Sequence, residues 1–223
     1  MSRGGGLVAA YGRRRYAILF YTLLLTVGAA PVLAALHFST NGLQILLVLS
    51  LLTALLGVTG ERWRMGLMVL AAVAVGLRAA PTAALGSGVA SGALVVALIL
   101  ALLAAASALW FAMRTASVDA EHIYAALSVY LLAGLIFGVV HWTLEQTWPG
   151  SLVDTGASGS GAFPLSTAIY YSFITLATLG YGDVVPRTEM ARGLAVLEAI
   201  GGQLYVAVLI ARLVGARLPR SPG

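Results

Sequence analysis

From Ala93 to Met113 the chain reads ALVVALILALLAAASALWFAM, without a charged side chain. A run of about 20 apolar residues is what an α-helix needs to cross a hydrocarbon core ~30 Å thick. Comparable runs recur along the chain, and composition agrees: 60% of the 223 residues are hydrophobic and only 9% charged, with a mean hydropathy of +0.96. Values this far from soluble averages exclude an ordinary globular domain and indicate an integral membrane protein built of helices. There is no cysteine, which removes disulfides and thiolate metal sites from consideration.

The runs divide the chain. Residues 1–15 are a Gly- and Arg-rich N-terminus ending in Arg13, Arg14 and Arg15. Residues 16–114 hold four apolar segments: Tyr16 to about Leu36, Gly42 to Thr59, Met65 to about Gly76, and Ala93 to Met113. The first also resembles a signal peptide, with its basic flank and AAPVLAAL end; its length favours retention as a span. The third is short and is followed by a breaker stretch from Pro81 to Gly92. Residues 115–122 form a polar linker, TASVDAEH, in which Ser117 or Asp119 suits the N-cap of a fifth segment, Ile123 to about Trp142. A polar Gly/Ser loop, expected to be mobile, precedes the last segment, Gly193 to Val214, and a short tail, 216–223.

The net charge of +5 comes from arginine alone. In so apolar a chain it reflects loop asymmetry rather than nucleic-acid binding. With six crossings and both termini in the cytoplasm, ten arginines fall inside and only Arg78, Arg187 and Arg192 outside.

Between the outer loop and the last span lies PLSTAIYYSFITLAT, Pro164 to Thr178, with a helix-start signature at Pro164 and Ser166 or Thr167 as N-cap. It is half a crossing long. TLGYG, Thr178 to Gly182, follows. Non-helical backbone at membrane depth is tolerated only where protein buries it or where it lines a water-filled cavity. Glycines at alternate positions, Gly180 and Gly182, permit successive carbonyls to turn to one side, and a ring of such ladders can replace the hydration shell of a monovalent cation.

On these residues, AIYYSFITLATLGYGDVVP above all, the stretch from Ile123 to Leu213 resembles the pore domain of potassium channels, whose filter is usually written TVGYG. The resemblance covers somewhat under half the chain. It implies a potassium channel pore domain over residues 123–215, in an all-α membrane protein with six transmembrane helices, a re-entrant pore helix and a four-fold homotetramer. It implies carbonyls from Thr178, Leu179, Gly180 and Tyr181 as potassium ligands, the Thr178 hydroxyl at the innermost site, and an outer mouth shaped by Gly182 and Asp183. Leu179 replaces the usual valine, and selectivity is expected to survive this. Tyr170 and Tyr171 stand where voltage-gated relatives carry a tryptophan pair, which suggests a cuff behind the filter with one phenol bonded to Asp183.

Glu198 is an ionisable residue inside an apolar span and hence a functional candidate. It either hydrogen-bonds behind the filter to the pore helix or faces the cavity. Gly201 and Gly202 follow one turn on, where the family places a gating hinge; close helix packing is the competing reading. Gln203 and Tyr205 are polar enough to line a cavity or bond between subunits.

The fourth segment lacks the arginine ladder that voltage sensing requires, so weak or absent voltage dependence is expected, and the short tail leads to the expectation of no ligand-gating module. His122 beside Glu121 is a candidate cytoplasmic pH sensor, whereas His37 and His141 are expected at the outer interface. No enzyme activity, cofactor or soluble partner is expected; the partners are lipid and further copies of the chain. The all-arginine composition suggests a bacterial inner membrane. A non-selective cation channel is the closest alternative, and an intramembrane serine protease using Ser158 and His141 a distant one. A transporter would need two repeated halves with broken helices, and no such repeat is evident.

Overall fold

The computed structural model describes residues 3–35, 41–56, 61–79, 82–114, 119–156 and 163–216, and these are mostly helical. Among the described residues there are seven helices: α1 Arg3–Ala35, α2 Asn41–Leu56, α3 Glu61–Ala79, α4 Thr82–Arg114, α5 Ala120–Thr147, α6 Leu165–Leu176 and α7 Glu189–Gly215. Two short strands, β1 Leu152–Asp154 and β2 Val184–Pro186, pair antiparallel with Val153 opposite Val185. Among the described residues, Ser91–Arg114, Ala120–Thr147 and Glu189–Gly215 are long and apolar enough to cross a membrane. The chain divides into two compact units, Met1–Leu132 and Ala133–Gly223.

In the first unit α1 packs on α2, α2 on α3 and α4, and α3 on α4. Its buried positions are rich in alanine: Ala54, Ala71, Ala74, Ala93, Ala104, Ala108 and Ala112. Small residues let helix backbones approach closely where lipid provides no hydrophobic drive. One polar link, Thr26 Oγ1 to Ser50 Oγ at 2.7 Å, joins α1 to α2 inside this core.

The cluster around the linker is also internal to this unit. Helix α1 breaks at Arg14, whose φ of −129° is non-helical. The Tyr16 amide just past the break donates to Glu121 Oε2 at 3.0 Å. Tyr16 stacks on Phe111, and Phe111 on the His122 ring, with centroids 4.5 and 4.6 Å apart. The Arg15 guanidinium lies over both Tyr16 and Phe111. Asp119 caps α5, accepting from the His122 amide at 3.0 Å and meeting His122 Nδ1 at 2.6 Å.

Several boundaries differ from the sequence reading, among them α1, which starts at Arg3 rather than Tyr16, and α5, which runs from Ala120 to Thr147. Helix α4 starts at Thr82, so residues 82–92 of the breaker stretch are helical and the glycines within them are tolerated. Helix α6 has Pro164 as its N-cap, extended at φ −74° and ψ 147° with no side-chain cap, so neither Ser166 nor Thr167 serves there. Helix α7 begins four residues early because Thr188 caps it, its hydroxyl accepting from the Ala191 amide. Ser117, Ser158, His37, Arg217 and Arg220 lie outside the described residues.

Candidate functional site

The second unit is arranged around α6. Its core joins Leu144 of α5, Leu152 of β1, Tyr171 of α6, Val184 of β2 and Ala191 of α7. Three glycines bring the neighbouring helices against α6, the first being Gly134, where a Cβ would lie 2.5 Å from the Phe173 ring. A Cβ on Gly138 would lie 2.8 Å from the Ile169 Cα. A Cβ on Gly202 would collide with the Leu176 carbonyl oxygen and lie 2.9 Å from its Cδ1. This last contact puts Gly202 in close helix packing, whereas a Cβ on Gly201 would meet nothing within 4 Å.

Past Leu176 the chain reverses. Amides of Ala177 and Thr178 donate to Phe173 and Thr175 carbonyls, and the Ile174 carbonyl accepts from both Leu179 and Gly180, at 2.8 and 3.4 Å. The backbone then takes a left-handed conformation at every second residue: Thr178 at φ 56°, Gly180 at 55° and Gly182 at 80°. Glycine adopts such values freely, but a β-branched threonine at positive φ is a true outlier and costs about 1–3 kcal/mol. The Thr178 hydroxyl accepts from Gln203 Nε2 at 3.2 Å, which joins the start of this segment to α7. Leu179 and Tyr181 are exposed.

Tyr170 is the phenol bonded to Asp183, at 2.6 Å to Oδ2. Tyr171 is instead buried, its ring edge-on to His141 with centroids 4.9 Å apart. The Asp183 carbonyl accepts from the Thr155 amide and hydroxyl at 2.7 and 2.9 Å. The turn before β1 is closed by Glu145, whose two oxygens accept from Gly150 and Leu152 amides. The loop that carries β1 is therefore tied to the segment after Gly182.

The Tyr170 hydrogen bond, helped by the Val184 amide, holds the Asp183 carboxyl below its ordinary value of 3.8. A carboxyl with a depressed folded value contributes stability above its unfolded value and loses it as pH falls through the folded one. Asp183 is thus ionised at neutral pH, and the bond weakens only as pH falls below the ordinary carboxylate range. Tyr170→Phe is expected to move the Asp183 titration upward, read by carboxyl ¹³C NMR, while an unmoved titration contradicts this assignment.

Glu198 is fully buried. It bonds to α6 through the Ser172 hydroxyl and to His141 Nε2 at 2.9 Å. His141 is equally buried, which corrects its expected place at the outer interface. The reason is the carboxyl across from it: a buried imidazole with a hydrogen-bonding partner no longer needs water. No group of three or more metal-binding side chains occurs among the described residues.

Residues 125–216 match the family model described as "Ion channel". The chain is 32% identical over 118 residues to Protein LctB of Geobacillus stearothermophilus, covering 48% of this chain and 83% of that one. It is 32% identical over 96 residues to the inward rectifier potassium channel Kirbac3.1 of Paramagnetospirillum magnetotacticum, covering 41% and 28%. It is 31% identical over 86 residues to two pore potassium channel c of Oryza sativa subsp. japonica, covering 39% of this chain but only 18% of the relative. No solved structure matches significantly. With its apolar helices and a match to most of LctB, the chain is an integral membrane protein and belongs to the potassium channel pore-domain family of ion channels.

Proposed function

We propose that the chain is one subunit of a homotetrameric potassium-selective channel without strong voltage gating. The observation that carries this reading is the left-handed backbone at Thr178, Gly180 and Gly182, directly after a helix of 12 residues. A residue turned left-handed at every second position lets successive carbonyls face one way. Four such ladders around an axis replace the hydration shell of a potassium ion. Carbonyls of Thr178, Leu179, Gly180 and Tyr181 are the ligands, with the Thr178 hydroxyl at the inner end and Gly182 and Asp183 at the outer mouth.

The remaining parts support that core. The C-terminus of α6 carries the negative end of its dipole, which favours a cation in front of it. Tyr170 and Asp183 brace the outer side of the filter, and Glu198 with Tyr171 braces it from behind. Gly201 is left as the hinge position, since Gly202 is committed to packing. The arginine distribution supports six crossings with both termini in the cytoplasm. Within Ser91–Arg114 the only charge is Arg114, so this helix carries no arginine ladder, which supports weak voltage gating. Potassium is cargo, and no cofactor enters the mechanism.

The test is flux through purified protein in liposomes under potassium or sodium gradients, with barium block and a Gly180→Asp control. Potassium flux that barium blocks and the substitution removes is the expected result. Equal sodium flux would instead make the Leu179 filter a non-selective one.

A further inference from the structure

Behind the filter motif, three buried polar side chains from three helices form one hydrogen-bonded chain. His141 of α5, Ser172 of α6 and Glu198 of α7 are all fully buried. Glu198 Oε2 lies 2.9 Å from His141 Nε2, and Glu198 Oε1 contacts the Ser172 hydroxyl. That hydroxyl is also 2.7 Å from the Gly134 carbonyl oxygen.

Counting protons assigns the donors. A serine hydroxyl has one proton, and a backbone carbonyl can only accept. The Ser172 proton therefore goes to Gly134, and the contact with Glu198 Oε1 needs a proton from the carboxyl. Glu198 Oε2 is then free to accept from His141 Nε2–H. His141 Nδ1 is buried and has no hydrogen-bond partner among the described residues. As a bare lone pair it costs less than an unpaired N–H on a buried cation. An ion pair holds the same number of protons but fails twice: it orphans an Nδ1–H and leaves the Ser172 hydroxyl with two acceptors for one proton.

We propose that Glu198 is a neutral carboxylic acid donating to Ser172, and that His141, neutral and protonated on Nε2, is a positioning residue that aims this carboxyl and so fixes the pore helix behind the filter. The inference rests on the reading of residues 178–182 as the filter. From α6 the titratable group facing His141 is Tyr171, and from α7 it is Glu198. On α5 itself Glu145 is one turn away, engaged with Gly150 and Leu152. The order of the three groups also excludes a hydrolase triad, because the carboxyl separates the imidazole from the serine.

The experiment uses the whole purified chain with Glu198→Gln, Glu198→Ala and His141→Phe. Glutamine offers an N–H to Ser172 and a carbonyl to His141, so E198Q is expected to keep the wild-type thermal midpoint and potassium flux. E198A, which removes both bonds, is expected to lower flux about ten-fold or more. H141F keeps a ring against Tyr171 but no donor, and is expected to lower the potassium-to-sodium flux ratio, with His141→Gln restoring part of it. ¹⁵N NMR of His141 is expected to show one protonated and one bare ring nitrogen. Two protonated nitrogens, or E198Q as damaging as E198A, overturns the proton assignment. An H141F protein with an unchanged flux ratio overturns the positioning role. If wild-type protein carries no selective flux, the filter reading fails, while the ring-nitrogen signature still decides the proton assignment.

Discussion

Gly180→Ala is expected to remove potassium-selective flux. A Cβ at this position would meet nothing within 4 Å of its own chain, so the penalty is not a clash. It is conformational: Gly180 sits at φ 55°, and an L-residue held there costs about 1–2 kcal/mol. In a tetramer the same substitution enters four times around one axis, about 4–8 kcal/mol in total. The cheaper response is to return φ to negative values, which rotates the adjoining carbonyls off the axis. At least a ten-fold loss of flux is expected, roughly what 1.4 kcal/mol of lost ion stabilisation produces. Gly150→Ala is the matched control. Gly150 is also left-handed, at φ 88°, but lies in the turn before β1. Its replacement is expected to lower the thermal midpoint and leave ion preference unchanged. If both variants change selectivity equally, the effect is global and the special role of Gly180 is lost.

The second large effect is expected at Gly202. The glycine pair on α7 looks symmetrical in sequence, and the two residues do different things in the fold. Replacing Gly202 by alanine drives a methyl group into the Leu176 carbonyl and side chain, and the carbonyl belongs to backbone at the end of α6 that cannot rotate away. Overpacking of this kind costs about 1–3 kcal/mol, and separating α6 from α7 also threatens the Gln203 to Thr178 hydrogen bond. Gly201→Ala meets no obstruction and gains helix propensity of about 1 kcal/mol. Thermal unfolding of purified protein should therefore show a drop of several degrees for Gly202→Ala and none for Gly201→Ala. Equal drops would contradict the division between packing and hinge.

Much of this arrangement was legible in the sequence, for physical reasons that also mark its limits. The long helices announce themselves because a bilayer demands uninterrupted apolar length. The short helix α6 is legible because PLSTAIYYSFITLAT is apolar, too short to cross and followed by alternate glycines. Asp119 as the cap of α5 was one of two options that local chemistry allowed. Strands β1 and β2 were not foreseen: three residues carry no usable alternation, and their pairing depends on a register set across the loop. Nor did the sequence mark Thr178 as left-handed, since a β-branched side chain argues against it. His141 was misplaced because a single histidine at the outer end of an apolar run normally seeks water. Its partner Glu198 lies 57 positions away, beyond any local pattern. Gly138 and Gly202 likewise gain meaning only once the helices they let through are in contact.

In the proposed channel, carbonyls of residues 178–181 substitute for the hydration shell of potassium. The measurement that tests this most directly is the reversal potential of wild-type protein in a planar bilayer with potassium on one side and sodium on the other. A potential shifted strongly toward that of a potassium electrode is the predicted result. A potential near zero, with current flowing, would contradict the account.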